Sequence, residues 1–360
     1  MSGGNADAAT SAPAAPATRR RRRTLAVDLS ILGVVGVLLF GAMAAGGVVL
    51  YRQLYSPTAF VLRYLELLSD GHAADALALP GVGIDSADLE AAGLPADASD
   101  ALLREAALAS LNDVEAVSEV PDGDVTRVTV SYTAGGYPAS TTFSVRRSGT
   151  VGVAPTWRFD TSPLAVVDLT VLGSMGFSVN GFTVDKRQVF PDADPAAPIP
   201  LLVFSPGLYS VTVDTPVATA PGVAVLADAP LTGVPVDVQA EPTEEFVSTV
   251  QQRVEEFLTQ CATQQVLQPT GCPFGFVVNN RIEGLPAWSI AEQPTVTIVP
   301  DGADWAIPPT PAVAHIDVDI RSLSDGSLRH RSEDVPFLLD GTITTLPDGS
   351  LSIRLGGSEG

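Results

Sequence analysis

The sequence predicts a multidomain α+β ectodomain in which a helix-led module occurs twice around a middle all-β module, behind one N-terminal transmembrane helix. Three observations predict it. Leu29–Leu50 runs for 22 residues without a charge. Hydrophobic spacing changes from helical to alternating within residues 56–160, and changes again in the same order within 242–356. Residues 162–240 show short alternating runs punctuated by proline and glycine, with almost no helical signal. Helices followed by an antiparallel meander are the α+β order, and short strands between turn residues are the all-β order.

Residues 1–28 form a basic tail rich in Ala, Gly, Ser and Pro, with too little apolar surface to fold and a disordered cytosolic character. Residues 29–51 then form the transmembrane helix. About 20 apolar residues suffice to cross a hydrocarbon core of about 30 Å, and an isolated span must be helical to satisfy its own amides. Arg19, Arg20, Arg21, Arg22 and Arg23 precede it, which sets a cytosolic N-terminus and an extracytoplasmic remainder. Tyr51, Arg52 and Tyr55 suit the far interface. This places the chain in the plasma membrane as a single-pass protein with the lipid bilayer as a partner. Ala42-Met43-Ala44 offers the competing reading of a cleaved signal peptide, against which stand the run's extension to Leu50 and the long leader. Gly41/Ala45 and Ala42/Gly46 form small-x-x-x-small pairs, the pattern of a weak homodimer through the membrane helix, and are equally common as plain composition.

In the module over 56–160, Pro57 starts a helix carrying Phe60, Val61, Tyr64, Leu65 and Leu68 on one face, and Gly71 ends it. A second helix is expected from Ser99 to Leu111, with Leu102, Leu103, Ala106, Ala107 and Leu111 sharing a face. Val125–Tyr132 alternates, Gly135-Gly136 makes a tight turn, Tyr137–Arg147 alternates back, and Trp157-Arg158-Phe159 closes the sheet. In the module over 162–240, strands are expected at Val166–Val171, Phe177–Val179 with a turn at Asn180-Gly181, Leu201–Phe204 and Leu208–Val213. The module over 242–356 opens with a helix capped by Thr243 and bearing Phe246, Val250, Val254, Phe257 and Leu258. Strands follow at Thr295–Val299, Val313–Arg321 and Leu328–Leu339, then a hairpin at Leu346-Pro347-Asp348-Gly349.

Charge excludes some functions. The chain carries 20 basic and 41 acidic residues, for a net charge of −21. Five Arg and two Asp belong to residues 1–28, so the rest holds 15 basic against 39 acidic groups, a net −24. Such an ectodomain does not bind nucleic acid through bulk charge. Cys261 and Cys272, eleven apart and outside the membrane on this topology, read as one disulfide. No further cysteine or histidine lies near enough in sequence to complete a structural metal set with them.

No nucleophile elbow, P-loop, dinucleotide fingerprint or H-E-x-x-H is present, and the single lysine, Lys186, lacks the serine of an S-x-x-K pair. No enzyme and no cofactor are expected. The strongest polar constellation sits on the hairpin turning at Asp325-Gly326. His315, Asp317, Asp319 and Arg321 share one face there, and a two-residue turn pairs Arg321 with His330, Asp319 with Ser332 and Asp317 with Asp334. His315, Asp317, Asp319 and Asp334 form a candidate site for a hard cation such as calcium, and equally the wet face of a half-buried sheet.

This layout, with Val179-Asn180-Gly181, Pro206-Gly207-Leu208-Tyr209-Ser210-Val211, and Phe257–Cys261 through Gly271-Cys272-Pro273-Phe274, resembles actinobacterial single-pass envelope proteins of the TcaA-like kind. The helix-led modules look similar to nuclear-transport-factor-like or cystatin-like folds, in which a helix lies in a curved antiparallel sheet. The middle module is similar to PEGA-type modules. The resemblance implies a non-catalytic envelope role, with an envelope protein or a peptidoglycan-related ligand as partner. The alternative is a small-molecule-binding or sensing module that uses a nuclear-transport-factor-like pocket. The zinc ribbon that usually opens TcaA-like proteins is absent.

Overall fold

The structure, a computed structural model, describes residues 30–38, 54–152, 154–346 and 348–359. It is mixed α and β with curled sheets. Residues 30–38 are helical and exposed throughout. The rest of Leu29–Leu50, the five arginines and the small-residue pairs lie outside the described residues. Among the described residues no helix is long and apolar enough to cross a membrane.

Helix α1 (Pro57–Ser69) begins where the Ser56 side chain accepts the Ala59 amide at 3.0 Å, which satisfies one of the free backbone N–H groups of a helix start. Its buried face is Val61, Tyr64, Leu65 and Leu68. Short helices α2 (Ala73–Leu77) and α3 (Ser86–Ala91) follow, the second capped by Asp85. An antiparallel sheet then runs β1 (Leu111–Asp122), β2 (Val125–Ala134), β3 (Tyr137–Val151) and β4 (Ala154–Phe159), in that spatial order. The β2–β3 turn falls at Gly135-Gly136, both at positive φ, with Ala134 facing Tyr137 as the sequence predicts. Tyr64, Phe143 and Phe159 lock helix to sheet with ring centroids 5.2–6.0 Å apart.

The helix expected from Ser99 to Leu111 does not form. Ser99 instead pairs its backbone with Pro200 and Leu202 of the middle module, a 3-10 turn spans Glu105–Ala107, and β1 already starts at Leu111. The apolar residues explain why. Leu102 and Ala107 enter the core of the middle module, while Leu103 and Leu108 pack on the core under α1. One helix face cannot serve two cores on opposite sides, so burial overrides periodicity.

The middle module holds two sheets. Its strands are β5 (Leu164–Leu172), β6 (Gly176–Val179), β7 (Phe182–Asp185), β8 (Ile199–Phe204), β9 (Gly207–Asp214), β10 (Ala218–Ala227), β11 (Gly233–Gln239) and β12 (Glu241–Pro242). One sheet is ordered β12-β10-β9-β6-β7 and the other β11-β5-β8, with β11 parallel to β5. A one-turn helix, α4 (Lys186–Val189), interrupts the expected all-β character. Strand β5 is buried on both faces: Ala165, Val167, Leu169 and Val171 look toward the middle core, while Leu164 and Val166 join the core under α1. Leu201, Leu202, Val203 and Phe204 on β8 divide in the same way. Continuous apolar runs, where an exposed sheet would alternate, are the sequence mark of such two-sided burial.

The last module starts at α5 (Glu244–Ala262), with the Thr243 side chain accepting the Phe246 amide at 3.1 Å as expected. Its sheet is β13 (Arg281–Glu292), β15 (Asp304–Arg321), β16 (Leu328–Thr345) and β17 (Leu351–Glu359), with β14 (Val299–Asp301) pairing on β15. The strand expected at Thr295–Val299 is irregular until Val299, because the Gln251 side chain on α5 accepts the Val296 amide at 2.8 Å and takes the place of a strand partner. Phe246, Val250, Val254 and Leu258 on α5 are buried in one continuous core with the middle module. Trp305 marks that junction. It is fully buried against Phe246, and its ring would meet a Cβ at Gly173 within 2.7 Å, so only glycine fits there, at φ +82°.

Candidate functional site

The polar face of the β15–β16 hairpin lies where the sequence places it, with a different register. Ser322–Ser327 form a six-residue loop rather than a two-residue turn: the Ser322 amide donates to Ser327 and the Gly326 amide to Ser322. The Asp325 carboxylate accepts from Ser327 and is held down to about 2 by hydrogen bonds from Ser322 and Ser327. The longer loop moves each partner by two residues. Arg321 faces Leu328, Asp319 faces His330, Asp317 faces Ser332 and His315 faces Asp334. A shift of two keeps every side chain on its predicted face, since the strand repeat is two.

The corrected register builds a ladder in which acid and imidazole alternate. His315 Nδ1 donates to Asp334 Oδ1 at 2.6 Å, and His330 Nδ1 to Asp319 Oδ1 at 2.9 Å. Both Nε2 atoms turn toward Asp317, at 3.6 Å from Oδ2 for His315 and 3.3 Å from Oδ1 for His330. Ser332 Oγ sits 3.0 Å from His315 Nε2. The ladder ends at the tip with Arg321 bonded to Glu283 of β13 at 2.8 Å. Beneath it Ile316, Val318 and Ile320 face the core.

Carboxylates on both sides raise both imidazoles above the ordinary 6.5, the Asp334 hydrogen bond being the main cause for His315 and the Asp319 hydrogen bond for His330. Asp317 is lowered, first by the Ser332 hydroxyl and then by both imidazoles. The four residues expected to hold a hard cation therefore share one face, but Asp319 and Asp334 spend oxygens on imidazole nitrogens. Among the described residues no group of three or more His, Cys, Asp and Glu side chains is spaced to hold a metal ion as placed. His330 is the member that sequence reasoning left out of the set, because the assumed turn paired it with Arg321.

Cys261 and Cys272 form a disulfide, S–S 2.04 Å, Cα–Cα 5.8 Å. It ties the end of α5 to the following loop, which Gln264 also clasps by bonding the amide and carbonyl of Thr270. Phe274, just beyond, packs between Trp288 and Phe337, with centroids at 4.9 and 5.3 Å. Trp288 donates to the Val266 carbonyl at 2.7 Å, so this indole serves packing.

Lys186 escaped sequence reasoning except as a missing nucleophile partner. It is fully buried and donates to the carbonyls of Val171 and Pro195, each at 2.7 Å. Burial lowers its pKa from 10.5 to about 8. Its work is to tie the 190–198 loop to β5. Clefts open on the outside of the modules: about 350 Å³ beside Phe190 and Pro200, about 790 Å³ along the solvent side of α5 at Arg253 and Glu256, and about 540 Å³ at Asn279, Asn280 and Arg329. The helix–sheet interiors are packed with side chains of α1 and α5. The chain matches no known protein family, no curated protein and no solved structure.

Proposed function

We propose that this chain is a single-pass protein of the plasma membrane and cell envelope, of the TcaA-like kind, with a cytosolic N-terminus and extracytoplasmic modules. It acts by binding an envelope protein or a peptidoglycan-related component, not by catalysis. The helix-led modules correspond to nuclear-transport-factor-like or cystatin-like folds and the middle one to a PEGA-like fold. The observation that carries the binding role is the exposed outer strand of the first sheet, while the apolar faces of α1 and α5 are buried in packed cores. Three features support the location: the uncharged Leu29–Leu50, the arginine block before it, and the Cys261–Cys272 disulfide, a bond that persists in oxidising compartments.

The interaction surface is on the first module. Strand β1 is an edge strand exposed over most of its length, with Val117 at 62% and Val120 at 53% exposure. Its bulges between Asn112 and Glu115 and between Ala116 and Ser118 protect it from pairing with its own kind, which leaves its side chains available for recognition. A photoreactive residue at Val117 or Val120 in living cells is expected to trap one discrete envelope component. A cytosolic adduct, or none from either position, contradicts the proposal.

A further inference from the structure

We infer that the cleft at the tip of the last module binds the carboxylate of a small polar molecule, with Arg329 as the group that receives it. The cleft lies on the sheet face opposite the imidazole ladder. His330 belongs to the ladder, so its neighbours Arg329 and Arg331 fall on the other face, in register with Ile320 and Val318. Lower down the strands that face shares a core with α5. Toward the tip, residues 276–280 and the two guanidinium groups line a cleft of about 540 Å³. Small-molecule sites occupy about 300–1,000 Å³.

The polar groups of this cleft are unequally engaged. Arg331 gives one N–H to Glu333 at 2.9 Å. Arg329 makes no hydrogen bond or ion pair with any described residue. Its charge helps to lower Asp325, yet the Asp325 oxygens are held by Ser322 and Ser327. Asn280 Oδ1 accepts the Leu323 amide at 3.4 Å, which leaves the Asn280 NH2 group to donate. Donors therefore outnumber acceptors here, and the Glu333 carboxylate is the one anion on the lining.

Charge and shape select the ligand. Beyond residues 1–28 the chain holds 15 basic against 39 acidic groups, so its general field repels small anions. A guanidinium without a partner in a cleft is a local exception. Its planar fork matches a carboxylate through two parallel bonds. One free cation balances one negative charge, whereas a phosphate dianion beside Glu333 would carry an excess. The cleft is larger than a carboxylate group, and amides and hydroxyls line the rest of it beside Phe276 and Val278. That lining suits a polar organic body, either a sugar acid or the C-terminal end of a short peptide. The inference rests on the envelope reading only for the second source, which a peptidoglycan-related component would present.

Ligand-detected NMR titration of the full chain, in zwitterionic detergent and Tris chloride, tests this. The probes are glucuronate and acetyl-D-alanyl-D-alanine, each beside its neutral amide, and inorganic phosphate. At least one of the two acids is expected to bind, with its amide roughly tenfold weaker or silent. Arg329→Gln is expected to weaken that acid by roughly tenfold or more, as loss of a charge-assisted pair does. Arg329→Lys returns the charge without the fork and should recover only part of the loss. Glu333→Gln removes the competing acceptor and its charge, and should tighten binding. Arg253→Gln, on α5, should change nothing. Thermal melts of each variant separate loss of the site from loss of the fold. Binding of glucuronate alone upholds the site and removes peptide termini as its source. No binding of either acid, equal binding of acid and amide, preference for phosphate, or binding that survives Arg329→Gln in folded protein overturns the assignment.

Discussion

The Tyr64 hydroxyl donates to the Ser205 carbonyl at 3.0 Å, from a side chain with no exposed surface. A second acceptor, the Pro163 carbonyl, lies 3.3 Å away. A helix of the first module is thereby pinned to the strand ends of the middle one. The same burial raises the phenol well above 10.0, so it remains a donor at any working pH.

Tyr64→Phe keeps the ring packing on Phe143 and Phe159 and removes only the donor. The Ser205 carbonyl is left short, at a cost of about 1–3 kcal/mol, while the Pro163 carbonyl keeps the Ser205 amide at 2.8 Å. Urea unfolding followed by circular dichroism should show the midpoint fall with the slope unchanged. No change in midpoint would mean that this hydroxyl adds nothing to the apolar contacts and the Ser99 backbone bonds that join the two modules.

The disulfide closes a short loop, with its cysteines 11 residues apart. On the chain-entropy account it restricts the unfolded chain by about 3 kcal/mol. Cys261→Ser with Cys272→Ser should therefore lower the unfolding free energy of the last module by about that amount. Chemical denaturation with and without reductant measures it. The half-buried Gln264 clasp should hold the loop conformation in the native state either way.

Protonation of the His315–His330 ladder has a definite sign. Both imidazoles are raised in the folded chain, so their contribution is complete below the ordinary 6.5 and is lost as pH rises through the raised folded values. Asp317 is lowered, so its contribution is present above the ordinary 3.8 and is lost as pH falls through its lower folded value. The ladder's own contribution to the melting temperature should thus be greatest on the acidic side of neutrality and decline above it. Asp334→Asn should bring the His315 titration, followed by imidazole proton resonances, back toward 6.5 and flatten the alkaline decline.

Lys186 is the chain's one lysine and has no exposed surface. An amine-specific acylating reagent should modify the folded protein at its α-amine and leave Lys186 untouched, and urea should expose it. Peptide mass mapping reads the difference. Modification of Lys186 in folded protein at the rate of a free amine would show that the 190–198 loop opens readily.

Much of this architecture is legible in the chain, for reasons visible in particular residues. Strands β2 and β3 show because each has one wet face and Gly135-Gly136 leaves little choice of turn. Helix α5 shows because Thr243 caps it and one stripe of it is buried. Strand β13 does not show, since Gly284-Leu285-Pro286 breaks its alternation and the pairing with β15 shifts between Glu283 and Ala287. The Ser99–Leu111 segment misleads because its leucines serve two cores. The ladder's face is readable from alternation, yet its partners depend on a loop whose length follows from Ser322, Asp325 and Ser327 side-chain bonds. Lys186 gives no local signal, because what surrounds it comes from β5 and the 190–198 loop.

We propose that the acidic modules face outward from a membrane anchored by the apolar stretch before Tyr51. Protease shaving of intact cells that carry a C-terminal epitope tests it most directly. The epitope should be lost from intact cells under conditions that shave a known surface protein and spare a cytosolic one. Retention of the epitope until the cells are lysed would contradict it.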